Sequence, residues 1–135
     1  MTSLASVLAN PPKAVVHSVP PEASVVDIER AVRAAGCEFA LVESAEARDK
    51  LAVLDAFAEG LGLPDWFGRN LDALVDSLRD VGAHDTATVL LWDRPDEFKA
   101  QAPEAHTAVL DILAERAADQ DRPRFVALVR SQPKG

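Results

Sequence analysis

The chain has 135 residues, 48% hydrophobic and 27% charged, with 14 basic and 22 acidic side chains and a formal charge of −8. That is the size and make-up of one globular domain with a sizeable core, and it excludes a general nucleic-acid binder, whose phosphate contacts need a basic surface. A negative surface suits a basic partner, whose approach it accelerates, or it serves only to keep a soluble acidic protein from associating.

Residues 1–12 end in Pro11-Pro12 and read as a loosely held, flexible arm. Their apolar stretch lacks a basic leader and is too short and broken for a signal peptide. No window reaches the apolar length of a membrane span, so a cytoplasmic protein without membrane contact is the expectation. Residues 14–19 (AVVHSV) form a β-branched run stopped by Pro20-Pro21, which predicts an edge strand. Ser24 then caps a helix with Val25, Ile28 and Val32 at helical spacing, ended by Gly36. Cys37, the single cysteine, excludes an intrachain disulfide and reads as a small buried hydrophobe.

Phe39 to Val42 is a continuous apolar run that suits a buried strand. Asp49 is the expected cap of the next helix, whose stripe is Leu51, Leu54, Phe57, Ala58 and Leu61, loosened at its end by Gly60 and Gly62. Thr88 to Trp92 is a second buried strand, and Asp93 followed by Pro95 starts a short helix through Phe98. Pro103 opens a longer helix with Val109, Leu110, Ile112, Leu113 and Ala117 inward, and Phe125 to Val129 closes the chain as a strand. Strands alternating with helices, the strands apolar on both faces, mean an α/β domain with a mainly parallel sheet and right-handed crossovers.

Residues 64–78 (PDWFGRNLDALVDSL) carry the most distinctive chemistry. Asn70 is a good N-cap, and Leu71, Leu74, Val75 and Leu78 make one narrow apolar face. Asp72, Asp76 and Asp80 run along another face. Like charges four residues apart weaken a helix by about 0.2–0.5 kcal/mol, so the row is either a solvated face, partly offset by Arg69 and Arg79, or a surface kept for a partner. Trp66 and Phe67, adjacent in a loop, seldom point the same way, which leaves one of them to pack the core and one exposed. A tryptophan beside carboxylates is a composition typical of interface hot spots.

An acid–base pair of Asp72 and Asp76 is disfavoured, because such pairs converge from different elements across a cleft. His17, His84 and His106 are scattered, without metal-ligand spacing, and read as exposed or hydrogen-bonded side chains. No P-loop, dinucleotide-binding glycine motif or nucleophile elbow is present, so neither metal nor cofactor is expected.

The segment resembles the barstar family, intracellular inhibitors of the secreted ribonuclease barnase. Proline, an acid, an aromatic pair, glycine, then NLDAL and a second aspartate stand here at residues 64–76. The resemblance extends more weakly from about Phe39 to Val129. It implies a barstar-like α/β fold, with three core strands, plus an extra N-terminal strand and helix. Residues 13–135 are then one domain, with 13–36 as the addition and 37–130 as the barstar-like core.

The resemblance further implies a non-enzymatic inhibitor, or immunity protein, that docks an acidic helix and its preceding loop into a ribonuclease active site. Asp76 would take the place of substrate phosphate, Asp72 would pair with a guanidinium, and Trp66 would pack over a catalytic histidine. Phe67, Gly68 and Asn70 belong to the docking loop, Asp80 adds to the acidic face, and Glu115 would make a peripheral ion pair. Val75 stands where the family carries a tryptophan, Ser77 where it has a cysteine, and Arg69 where it has an acid. The expected partner is a basic extracellular-type ribonuclease or ribonuclease toxin domain, bound one to one by a monomer. The alternative is a non-inhibitory module with the same fold that binds a basic regulatory protein.

Overall fold

The computed structural model describes residues 16–63, 68–82 and 86–132. The elements, in chain order, are β1 (Val16–Val19), α1 (Val25–Ala34), β2 (Glu38–Glu43), α2 (Lys50–Leu61), α3 (Leu71–Arg79), β3 (Thr88–Asp93), α4 (Asp96–Gln101), α5 (Pro103–Ala118) and β4 (Phe125–Arg130). The strands form one four-stranded sheet in the order β1-β4-β3-β2, and every pairing is parallel. The predicted α/β class with a parallel sheet, three strands joined by an N-terminal fourth, is therefore what the chain adopts.

The period-two alternation of strand side chains separates two cores. Val42, Leu90, Trp92 and Ala127 turn to one face, where they pack with Leu54 and Phe57 of α2, Leu74 and Leu78 of α3 and Val109 and Leu113 of α5. Val89, Leu91, Val126 and Leu128 turn to the other face, where Ile28 and Val32 of α1 cover them. The path from β1 through α1 to β2 spans the width of the sheet, and the later connections return across it. Opposite directions of travel put their helices on opposite faces when each crossover is right-handed.

Local chemistry sets where the helices begin. The Asp27 amide donates to Ser24 Oγ at 3.0 Å, and the Ala52 amide to Asp49 Oδ1 at 2.8 Å. Each cap satisfies an amide that the helix itself leaves without an acceptor. Gly62 closes α2 with φ 65°, a conformation only glycine adopts without strain. Gly60 has a different role from loosening the helix end. A Cβ there would overlap the carbonyl oxygen of Leu41, so the missing side chain lets α2 lie against β2.

Several expectations change. Phe39, Ala40 and Leu41 are only half-buried because β2 is an edge strand, and Cys37 is likewise half-buried beside the second core. In α2 the buried stripe is Val53, Leu54 and Phe57, with Leu51 47% exposed, because the close approach at Gly60 rotates the helix. Helix α4 starts at Asp96, later than expected. Asp93 does not cap it, because its carboxylate accepts from Arg130 at 2.7 Å in a buried ion pair at the end of β3.

The buried stripe of α5 is His106, Val109, Leu113 and Arg116, not the purely apolar set. His106 contradicts the expectation of an exposed or hydrogen-bonded histidine. It stacks on Trp92 with ring centroids 5.4 Å apart, and its ring has no hydrogen-bond partner among the described residues. His17 Nε2 is also buried, with no hydrogen-bond partner among the described residues, and His84 lies outside them. No helix among the described residues is long and apolar enough to cross a membrane.

Candidate functional site

Helix α3 is built as a short rigid rod. The Asn70 side chain works in both directions: Oδ1 accepts from the Ala73 amide at 2.7 Å, and Nδ2 donates to the Gly68 carbonyl at 3.1 Å. The cap thereby fixes the helix start and Gly68 of the preceding loop together. A Cβ on Gly68 would sit 3.3 Å from Asn70 Nδ2 and 3.4 Å from the Ala73 methyl, so this turn is already close-packed. Arg69 between them has φ 48°, a left-handed conformation uncommon for a side-chain-bearing residue. Its guanidinium makes two 2.8 Å bonds to the Asp55 carboxylate of α2. Arg69 is thus turned to α2 and does not offset the aspartate row.

The other end of α3 is held by a residue that the sequence does not single out. Arg116 of α5 is buried, and its Nε donates to the Leu78 carbonyl at 2.7 Å. Its Nη2 bridges the carbonyls of Val81 and Pro123, each at 2.9 Å, and the guanidinium lies 5.1 Å from the centre of the Phe125 ring. One side chain satisfies carbonyls left open at the helix terminus and ties α3, α5 and the approach to β4 together. Burial lowers its pKa, the Asp119 carboxylate acts the other way, and Arg122 adds to the lowering. The signal for Arg116 was its place in the series 106, 109, 113, 116, which has helical spacing but interrupts apolar residues with polar ones.

With both ends anchored, α3 buries Leu74 and Leu78 and half-buries Leu71 and Val75. Asp72 and Asp76 lie one turn apart on the exposed face, and Asp80 is exposed at the C-cap. Asp72 sits in the first turn, where the helix dipole favours an anion. Asp76 accepts from Arg79 at 3.2 Å, a pair whose side chains are 74% and 53% exposed and which solvent screens strongly.

Glu115 is exposed on α5 and meets the site through a groove of about 240 Å³ between α3 and α5. Val75 and Ile112 supply apolar walls, with Glu115 and Asp119 along the same groove. The structure therefore brings Gly68, Asn70, Asp72, Val75, Asp76, Asp80 and Glu115 to α3 and the helix packed beside it. Trp66 and Phe67, the aromatic pair of the same reading, lie outside the described residues, as does Asp65 of the motif. Among the described residues no group of three or more histidine, cysteine or acidic side chains could hold a metal ion.

A second cluster of charges lies at the C-terminal ends of the strands. Glu43 and Asp93 hold Arg94 at 3.0 and 3.3 Å, and Arg130 completes the group through Asp93. Burial pushes the Glu43 carboxyl up, but hydrogen bonds from Arg94 and the Ala45 amide and the Arg94 charge outweigh it, so its pKa is lowered. These four charges neutralise one another.

No curated protein matches the sequence significantly. Among solved structures, the ORC2 protein of Aeropyrum pernix, in its ADPNP–ADP complexes, is similar with 18% identity and a TM-score of 0.58 over 89% of this chain. Cdc6p from Pyrobaculum aerophilum is similar with 21% identity and a TM-score of 0.57 over 96% of this chain. The present chain spans 36% of each of those proteins, and at these identities the likeness is one of fold alone. A family model described as Barstar (barnase inhibitor) matches residues 37–130, from just after α1 to the end of β4. That match takes in well over half of the sequence and the whole of the anchored acidic helix, and the chain belongs to the barstar family.

Proposed function

We propose that the protein is an inhibitor of a basic microbial ribonuclease, or an immunity protein to a ribonuclease toxin, that acts in the cytoplasm and is not itself an enzyme. The observation that carries this reading is Asp72 and Asp76 held outward, one turn apart, on a helix whose two ends are locked by Asn70 and Arg116. Asp76 occupies the position of a substrate phosphate in the partner's cleft and Asp72 meets a neighbouring guanidinium. Trp66 and Phe67 cover the cleft beside a catalytic histidine, Gly68 and Asn70 shape that loop, and Asp80 and Glu115 add peripheral charge. Because the helix is ordered before docking, little conformational entropy is lost on binding. The −8 charge of the chain draws a basic enzyme toward this face.

Titration into a panel of guanyl-preferring microbial ribonucleases, with RNA cleavage as the readout, tests the proposal. Stoichiometric loss of activity at one molecule per enzyme is expected for the true partner. The Asp76→Ala variant then binds about 2–5 kcal/mol more weakly, because enzyme cations are left buried and unpaired; such magnitudes come from charge pairs of barnase–barstar itself. The association rate falls steeply with added salt, and a salt-independent rate would remove the steering argument. Unchanged cleavage across the panel overturns inhibition and favours a non-inhibitory module that binds a basic regulatory protein.

A further inference from the structure

The segment outside the family match, β1 with α1, adds more than a fourth strand. A cavity of about 380 Å³ lies between β1 and β4 on one side and α4 and α5 on the other, and it shares no residue with the groove beside α3. Val16 and Ser18 of β1 form part of its wall, so the cavity is completed by residues that precede the matched core. Its lining extends to Pro95 and Ser131, which follow the C-terminal ends of β3 and β4. In parallel α/β sheets ligands commonly bind toward the carboxyl ends of the strands.

The lining is mixed in a particular way. Lys99 of α4 and Asp111 of α5 both border the cavity, and neither makes an ion pair with a described residue. The imidazole of His106 also borders it, and stacking on Trp92 orients a ring that has no hydrogen-bond partner among the described residues. Asp96, by contrast, is already engaged, since its Oδ1 accepts from the Gln132 amide at 2.8 Å. Leu110 and Val129 add apolar surface. A cavity near the lower end of the size range of small-molecule sites thus presents one cation, two carboxylates of which Asp96 is held by a backbone amide and Asp111 is not, an unused hydrogen-bonding ring and an apolar wall.

We propose that this cavity binds a small zwitterion with an apolar side chain, of the size and charge of an apolar α-amino acid. Lys99 receives the carboxylate, Asp111 receives the ammonium group, and His106 supplies a hydrogen bond between them. The side chain lies against Leu110 and Val16. The N-terminal strand then completes a ligand site on a domain whose acidic helix faces elsewhere.

The test uses the full chain with Trp66→Phe, so that Trp92, in contact with His106, is the remaining tryptophan. L-Leucine is titrated while Trp92 emission is followed, with leucinamide and 4-methylpentanoate as analogues that lack the carboxylate or the amine. A saturable change with leucine is expected, with each analogue weaker by about tenfold or more, as loss of a charged hydrogen bond implies. Lys99→Met and Asp111→Asn, both at exposed positions, are expected to weaken leucine by a similar factor without moving the melting temperature. Ser18→Phe, which fills the β1 side of the cavity, is expected to abolish the response in a protein that still melts cooperatively. Absence of a saturable change with leucine overturns the proposal. So does an analogue that binds as tightly as leucine, or a response that Lys99→Met, Asp111→Asn and Ser18→Phe leave intact.

Discussion

Two sets of carboxylates in this protein have opposite fates. Asp93 is 1% exposed and fully engaged, with Arg130 at 2.7 Å and Arg94 at 3.3 Å. Asp76 is 74% exposed and holds only a screened pair with its neighbour Arg79. The first set is committed to the fold, because breaking a buried pair strands the other charge in the interior. The second set contributes almost nothing to the fold and remains available to a partner. What distinguishes them is the surrounding structure and not the residue type.

The largest effect that would test this contrast is Asp93→Asn. It removes the charge that Arg130 needs, and a loss of about 3–5 kcal/mol in urea unfolding is expected. A loss below about 1 kcal/mol would mean that solvent reaches the pair and that the contrast is overstated. Next comes Arg116→Met, which keeps the buried stem but leaves the carbonyls of Leu78, Val81 and Pro123 without their donor. About 2–3 kcal/mol of stability should be lost, and hydrogen exchange should rise first in the last turn of α3. Asn70→Ala removes the cap at the opposite end and is expected to cost about 1 kcal/mol, read from the same unfolding curves.

Asp76→Ala should change stability by no more than about 0.5 kcal/mol while weakening any ribonuclease complex strongly. That separation of folding from binding is the sharpest form of the comparison, and an Asp76→Ala protein that unfolds more easily would end it.

A pH effect follows from His106. Burial and the Lys99 ammonium hold its pKa below the ordinary 6.5, with Asp96 acting the other way. The unfolded chain therefore takes up this proton before the folded one does. Stability should be fully present above about pH 6.5 and should decline as pH falls from there toward the lowered folded value. Replacing His106 by leucine should flatten that part of the pH–stability curve.

The acidic helix was legible because its determinants are local. Asn70, the leucine register and the aspartate row lie within a dozen residues, and helix capping and 3.6-residue periodicity act over that range. Helix α5 was less legible. His106 and Arg116 sit at inward positions, yet His106 reads as exposed or hydrogen-bonded and Arg116 is not singled out among the apolar residues around it. Arg116 is tolerated inside only because α3 ends beside it with open carbonyls, and His106 only because the ring of Trp92 lies against it. Arg69 follows the same rule, since Asp55 lies fourteen residues earlier and meets it only once α2 and the loop are folded.

The sequence by itself determined the alternation of strands and helices, the parallel sheet, the family and the outward row of aspartates, because periodicity, capping and motif order are properties of short segments. The tertiary structure alone decided which charges are committed and which are free. It placed Asp93 against Arg130, turned Arg69 toward Asp55, set Arg116 under the end of α3, and closed a cavity between β1 and α5. Each of these depends on groups far apart in the chain arriving at one point, and the energy of a charge or a donor is set by what stands next to it.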